Sequence, residues 1–232
     1  MCVIIAKDKN DRLPSITEMK QCFDYNSDGA GFMYTDNGKV VIDKGFMTWN
    51  SFIKHYTKLV TTYDNFKDKC LVIHFRIGTA GGNNVHNTHG YPLTNKISEM
   101  QKVYNTCNVG LMHNGIISDY EPQEDYYNDT QEFIKSFVYN LQNFDKEFYK
   151  RKYFRDMIKD ISHSKWAILD KDDNLYTIGA FSIEKGLAFS NLNHKWTGTY
   201  NYGYTSYGRA TQTYKDIFGE DEIDSQLSIW EQ

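Results

Sequence analysis

The chain begins MCVIIAKD (residues 1–8), and the reading of those eight residues decides what fold the remainder must build. A cysteine thiol packs like a small hydrophobe, so Cys2 can simply open a buried strand that continues through VIIA. Removal of Met1 gives Cys2 a second character, because one residue then carries both a thiol nucleophile and a free α-amine. The first reading predicts a strand over residues 2–6 and nothing more. The second predicts that the chain also delivers oxyanion donors and substrate-binding charges to the same place.

The 232 residues are 40% hydrophobic, enough for one domain, 1–232, with a sizeable core. A net charge of −4 with 26 scattered Lys and Arg leaves no basic footprint for nucleic acid. The four cysteines form no CxxC pair and read as thiols of a reducing compartment, with Cys22, Cys70 and Cys107 assigned to packing. No apolar run reaches bilayer-spanning length and no basic-then-apolar leader opens the chain, so a cytoplasmic protein with no membrane partner is expected. The composition suits an AT-rich genome, viral or bacterial.

Outward from the first strand, PSITEMKQCF (14–23) reads as a short helix opened by Pro14. GAGFMYTDNGKVVIDKG (29–45) has apolar runs on both sides of Asp36-Asn37-Gly38, a hairpin signal. WNSFIKHYTKLV (49–60) places Phe52, Ile53, Tyr56, Leu59 and Val60 on one helical face. CLVIHFRIG (70–78) and CNVGLMHNG (107–115) read as strands that exit into glycine turns. Two helices are expected over 129–144 and 146–161, the first capped by Asp129 with Glu132 completing the box. SKWAILDKDDNLYTIGAF (164–181) reads as a hairpin and GLAFSNL (186–192) as a further strand. Strands at both ends around a helical block predict an α+β protein of stacked sheets covered by helices. The segment from about 197, TGTYNYGYTSYGRA, reads as irregular and rich in Gly and Tyr.

Four fragments carry chemistry: Cys2, HFRIGTAGG (74–82), HNG (113–115) and NDTQ (128–131). In this order, with NSDGAGF (26–32), NTHGYPL (87–93) and LAFSNLN (187–193), the chain resembles the class II, N-terminal cysteine glutamine amidotransferases of the Ntn-hydrolase superfamily. The resemblance implies a four-layer αββα sandwich with two mainly antiparallel sheets. It implies Cys2 as nucleophile, Asn114 and Gly115 as oxyanion donors, and Arg76 with Thr79 and Asp129 as the grip on the two charged ends of an amino acid. Those residue types fit the task, since a poor amide electrophile needs a nucleophile with its own base and donors aimed at the developing oxyanion. Arg matches a carboxylate through two parallel hydrogen bonds.

The implied activity is hydrolysis of the side-chain amide of glutamine or a γ-glutamyl compound through a Cys2 thioester. No cofactor is implied, and the chain would act alone or with a separate ammonia-accepting synthase subunit. The alternative is a catalytically silent Ntn-fold binding protein for a small ligand or protein partner. Singly, each residue also has a structural reading: Asp129 as a plain N-cap, Arg76 as a surface ion-pair residue, Asn114-Gly115 as a turn. His86, His89 and His113 lack the spacing of a metal set, and no metal is expected.

Overall fold

The computed structural model describes residues 2–63, 65–78, 82–122 and 124–195. The chain divides into two units, Met1–His194 and Lys195–Gln232; the Gly/Tyr-rich segment lies outside the described residues. In the first unit, seven strands form one antiparallel sheet: β1 (Val3–Lys7), β2 (Ala30–Asp36), β3 (Lys39–Phe46), β4 (Leu71–Phe75), β6 (Tyr104–Cys107), β10 (Ser182–Glu184) and β11 (Leu187–Phe189). Their order is β10-β11-β1-β4-β2-β3-β6. A second antiparallel sheet has the order β5-β7-β8-β9, from β5 (Tyr91–Pro92), β7 (Val109–Asn114), β8 (Lys165–Asp170) and β9 (Leu175–Ile178).

Strand alternation stacks the two sheets. Ile4, Met33, Val40, Ile42 and Val72 from the larger sheet share one buried cluster with Met112, Ala167 and Leu169 from the smaller. The opposite face of the larger sheet carries α1 (Ile16–Tyr25) and α2 (Trp49–Thr62), with Phe32 stacked on Phe52 at 4.6 Å and Phe23 edge-on to Phe75 at 6.2 Å. The opposite face of the smaller sheet packs Leu111, Trp166, Ile168 and Ile178 against Met100 of the short α3 (Ile97–Met100), Phe133 and Ile134 of α4 (Asp129–Ser136) and Phe154 and Ile158 of α5 (Lys152–Ser162). The result is helix, sheet, sheet, helix: an α+β sandwich of two stacked antiparallel sheets.

Local chemistry accounts for most boundaries. Asn37 and Gly38 turn the β2–β3 hairpin at φ 46° and 69°, the left-handed pair that a tight hairpin requires. The first helix begins two residues later than Pro14 suggests, because Ser15 is its cap: Ser15 Oγ accepts from Glu18 N at 3.2 Å while the Glu18 carboxylate accepts from Ser15 N at 2.9 Å. The expected long helix over 129–144 stops at Ser136 and continues as 3-10 turns over Val138–Asn143. There Asn140 Nδ2 donates to Ser136 O at 2.8 Å while its backbone N–H turns to Phe137 O at 3.0 Å, so the α-helical bond is replaced. The helix expected over 146–161 likewise opens with a 3-10 turn, Phe148–Lys150, before α5.

The strand expected over 107–115 is two strands. β6 pairs with β3 in the larger sheet and β7 with β5 and β8 in the smaller, so the chain crosses between sheets at Asn108. That crossing brings the end of β7 alongside the ends of β1 and β4.

Candidate active site

The β1–β4 register pairs Val3 with Phe75, and one step further sets Cys2 opposite Arg76. Cys2 lies two residues from Ile4 and Arg76 four from Val72, both in the cluster between the sheets, so strand period turns both side chains to that side. A cleft forms at this rim, lined by Cys2, Arg76, Ile77, His89, His113, Gly115, Asn128, Asp129 and Thr130. Of the residues singled out from sequence, it brings together Cys2, Arg76, Gly115 and Asp129. Thr79 lies outside the described residues, and Asn114 does not line the cleft.

Cys2 Sγ accepts from Ile77 N at 3.3 Å and faces Ile77 O at 3.5 Å, while Asn191 Nδ2 donates to Cys2 O at 2.6 Å. Burial pushes the thiol pKa up, and the Ile77 hydrogen bond and the Arg76 charge oppose that only in part. A thiol held this way needs a base to become a nucleophile.

Arg76 is buried at 3% exposure, which removes the surface ion-pair reading. Its Nη2 donates to Gly82 O at 3.0 Å and Nη1 to Asn83 Oδ1 at 3.4 Å. Asp28, from the NSDGAGF stretch, accepts from Gly78 N at 2.9 Å and Asn83 Nδ2 at 3.0 Å, which fixes Gly78 and Asn83 near the guanidinium.

Asp129 is not the cap of α4. Asn128 is, accepting from Gln131 N at 3.0 Å, with Gln131 Oε1 accepting from Asn128 N at 3.0 Å. Two adjacent Asx residues compete for the cap, and Asp129 is taken instead by Ile117 N at 2.7 Å. Its carboxylate therefore sits in the first turn, beside the cleft. Burial raises its pKa despite the hydrogen bonds from Ile117 and Thr130, so the helix terminus does not by itself hold this carboxyl at an ordinary value. Asn128 Nδ2 also donates to Tyr91 OH at 2.8 Å, linking α4 to β5.

Gly115 ends β7 where a side chain has no room: a Cβ would overlap Ser164 Oγ and stand 2.7 Å from Ser164 Cβ and 3.1 Å from His113 Nε2. Asn114, just before it, is 6% exposed and donates Nδ2 to Ser190 Oγ at 2.7 Å. Ser190 and Asn191 were not singled out from sequence, although they lie inside the LAFSNLN stretch.

Behind the cleft stand three buried imidazoles. His74 stacks on His89 with centroids 4.1 Å apart, His89 is 6.2 Å from His113, and His113 Nδ1 lies 2.8 Å from Thr130 Oγ1. Burial holds His74 and His113 at about 3 and His89 well below 6.5, so the column is neutral at ordinary pH. His86 is elsewhere, exposed, with Nδ1 at 2.8 Å from Gln101 O, and so does not join His89 and His113. Beneath the column, the buried Lys44 donates to His86 O at 2.9 Å and Met100 O at 2.7 Å and sits 4.1 Å above the Tyr91 ring.

The cleft thus offers a thiol, a guanidinium, a carboxyl and a glycine turn on a largely neutral floor. No family model matches the chain, and no curated protein does. Among solved structures it is similar to the glutamine phosphoribosylpyrophosphate amidotransferase from B. subtilis complexed with ADP and GMP, at 15% identity and a TM-score of 0.35, over 74% of this chain and 35% of that one.

Proposed function

We propose that the chain is an amidohydrolase of the glutamine amidotransferase type, acting on the side-chain amide of glutamine or a γ-glutamyl compound. One observation carries the reading: Cys2, Arg76, Gly115 and Asp129, drawn from separate parts of the sequence, line a single cleft. After loss of Met1, the Cys2 α-amine takes the thiol proton, and Sγ attacks the amide carbon to form a C–S bond. The proton passes to the departing nitrogen as the C–N bond breaks and ammonia leaves. Water then cleaves the thioester, giving the carboxylic acid and regenerating the thiol.

The raised thiol pKa makes that amine necessary. An α-amine with a reference pKa near ~7.7–8.0 is matched to the proton transfer. Arg76 would hold the substrate α-carboxylate and Asp129 its α-ammonium, with Thr79 as a further substrate-binding residue. Asn114 and Gly115 would stabilise the oxyanion. The ammonia is released or passed to a separate synthase subunit.

A second reading, a catalytically silent binding protein with the same pocket, is favoured by one feature: Asn114 Nδ2 is engaged by Ser190 instead of standing free for an oxyanion. Ammonia and glutamate production from glutamine and a panel of γ-glutamyl amides separates the two. Turnover lost in Cys2→Ala supports the enzyme; saturable binding with no turnover in protein lacking Met1 supports the binding module.

A further inference from the structure

The backbone of β11 leaves β1 before β1 reaches the cleft. The register Ile5–Phe189 and Ala6–Ala188 sets Ile4 against Ser190 and Cys2 against Leu192. Ser190 N donates to Ile4 O at 2.9 Å, as a ladder partner should, but its carbonyl turns to the second sheet and accepts from Lys165 Nζ of β8. Two side chains complete the interrupted ladder. Ser190 Oγ accepts from Ile4 N at 2.8 Å in place of that carbonyl, and Asn191 Nδ2 donates to Cys2 O at 2.6 Å where the register calls for the Leu192 N–H.

Partners on both arms fix which way the Asn191 amide faces. Its Oδ1 accepts from Asn193 N at 3.1 Å and its Nδ2 meets a carbonyl; a backbone N–H can only donate and a carbonyl only accept. The contact from Asn191 to Asn193 is an Asx turn, so the same side chain that turns the chain out of β11 aims a donor back at Cys2.

On the other flank of β1, Ile77 N donates to Cys2 Sγ at 3.3 Å. Cys2 is therefore held at two points, its carbonyl from the β11 side and its sulfur from the β4 side. With both fixed, the tetrahedral, chiral Cα leaves its nitrogen one direction. Loss of Met1 makes Cys2 the terminal residue, and terminal residues fray unless tied down.

We propose that Asn191 is a positioning residue that supplies the last rung of the β1–β11 ladder and, together with Ile77, sets the α-amine and thiol of Cys2 in one fixed relation. Its use in catalysis rests on the amidohydrolase reading, in which that amine is the base. Its control of Cys2 is independent of that reading.

Hydrogen exchange at the Ile77 amide, in the full chain freed of Met1, tests this control without reference to turnover. Asn191→Asp keeps an acceptor for Asn193 N and loses the donor to Cys2 O, whereas Asn191→Ala loses both. Both variants should loosen Cys2, so the Ile77 amide, which makes no hydrogen bond to Asn191, should exchange about three- to tenfold faster while the Val72 and Ile73 amides of β4 keep their rates. Unchanged exchange at Ile77, or acceleration in Asn191→Ala alone, would overturn the proposal by assigning Asn191 to the turn. Equal acceleration along all of β4 would make it a residue of general stability and overturn the proposal equally.

Turnover of a γ-glutamyl amide reads the catalytic consequence. Both variants should lower kcat at least about tenfold and leave KM unchanged, because Arg76 and Asp129 keep their places while the amine and thiol lose theirs. A loss confined to KM would place Asn191 on the substrate and refute the positioning role. If the parent turns over no γ-glutamyl amide, the amidohydrolase reading fails, and exchange at Ile77 still decides whether Asn191 fixes Cys2.

Discussion

Replacing Gly115 with alanine tests how closely the end of β7 must approach β8 for the cleft to exist. The added methyl overlaps Ser164 Oγ and lies 2.7 Å from Ser164 Cβ and 3.1 Å from His113 Nε2. Ser164 is 7% exposed and cannot swing into solvent, so the strain must be met by separating the Asn114–Lys165 pair that closes the β7–β8 ladder. Overpacking of this kind costs about 1–3 kcal/mol. For a chain of this size each kcal/mol moves Tm by about 2–4 °C, so Gly115→Ala should melt about 2–12 °C lower. Calorimetric melting of Gly115→Ala, Ser164→Gly and the double variant supplies the cycle, and the double variant should recover most of the loss because the facing Oγ and Cβ are gone. A Gly115→Ala melt within a degree of the parent, or strictly additive losses, would refute the packing argument.

Arg76→Lys and Asp129→Asn should each weaken glutamine binding about 10- to 100-fold, since each removes a charge-assisted hydrogen bond worth about 1.5–3 kcal/mol; unchanged titration calorimetry in both would end the proposed substrate pose. Stability should decline on acidification from pH 6.5 towards 3, because His74 and His113 stay neutral in the fold down to about 3 while their unfolded forms protonate near 6.5. The unfolded chain binds more protons in that window, each histidine contributing a slope of up to about 1.4 kcal/mol per pH unit, and urea unfolding at a series of pH values that gave no such slope would contradict the buried neutral column. A non-cleavable extension ahead of Cys2 should abolish amide hydrolysis while leaving circular dichroism and Tm unchanged; full turnover in protein whose intact mass retains Met1 would rule out the amine as base.

The sequence by itself determined whatever depends on neighbours along the chain. The DNG turn and the apolar face of α2 arise from residues within one or two turns of each other, so the hairpin and the helix read over 49–60 are legible locally; the helix read over 14–23 was legible as an element, while its start was set by the Ser15–Glu18 box and not by Pro14. The alternating apolar strands likewise committed the chain to stacked sheets. The candidate site was legible as residue types in order, from Cys2 to NDTQ.

Tertiary structure decided everything that rests on competition between equivalent local choices. Asn128 and Asp129 are both good caps, and only Ile117 N, twelve residues away, frees Asp129 to line the cleft by bonding its carboxylate. Residues 107–115 read as one strand, and only pairing partners distant in sequence assign Cys107 to one sheet and Val109–Asn114 to the other, with the crossing at Asn108. Neither the stacking of His74 on His89 nor the grip of Ser190 on Ile4 and Asn114 has a period or a spacing that sequence could reveal. Burial decided the charges as well: Cys2, Asp129, His74, His89 and His113, to which a sequence reader gives ordinary pKa values, are shifted towards their neutral forms, because desolvation is a property of the packed site and not of the residue.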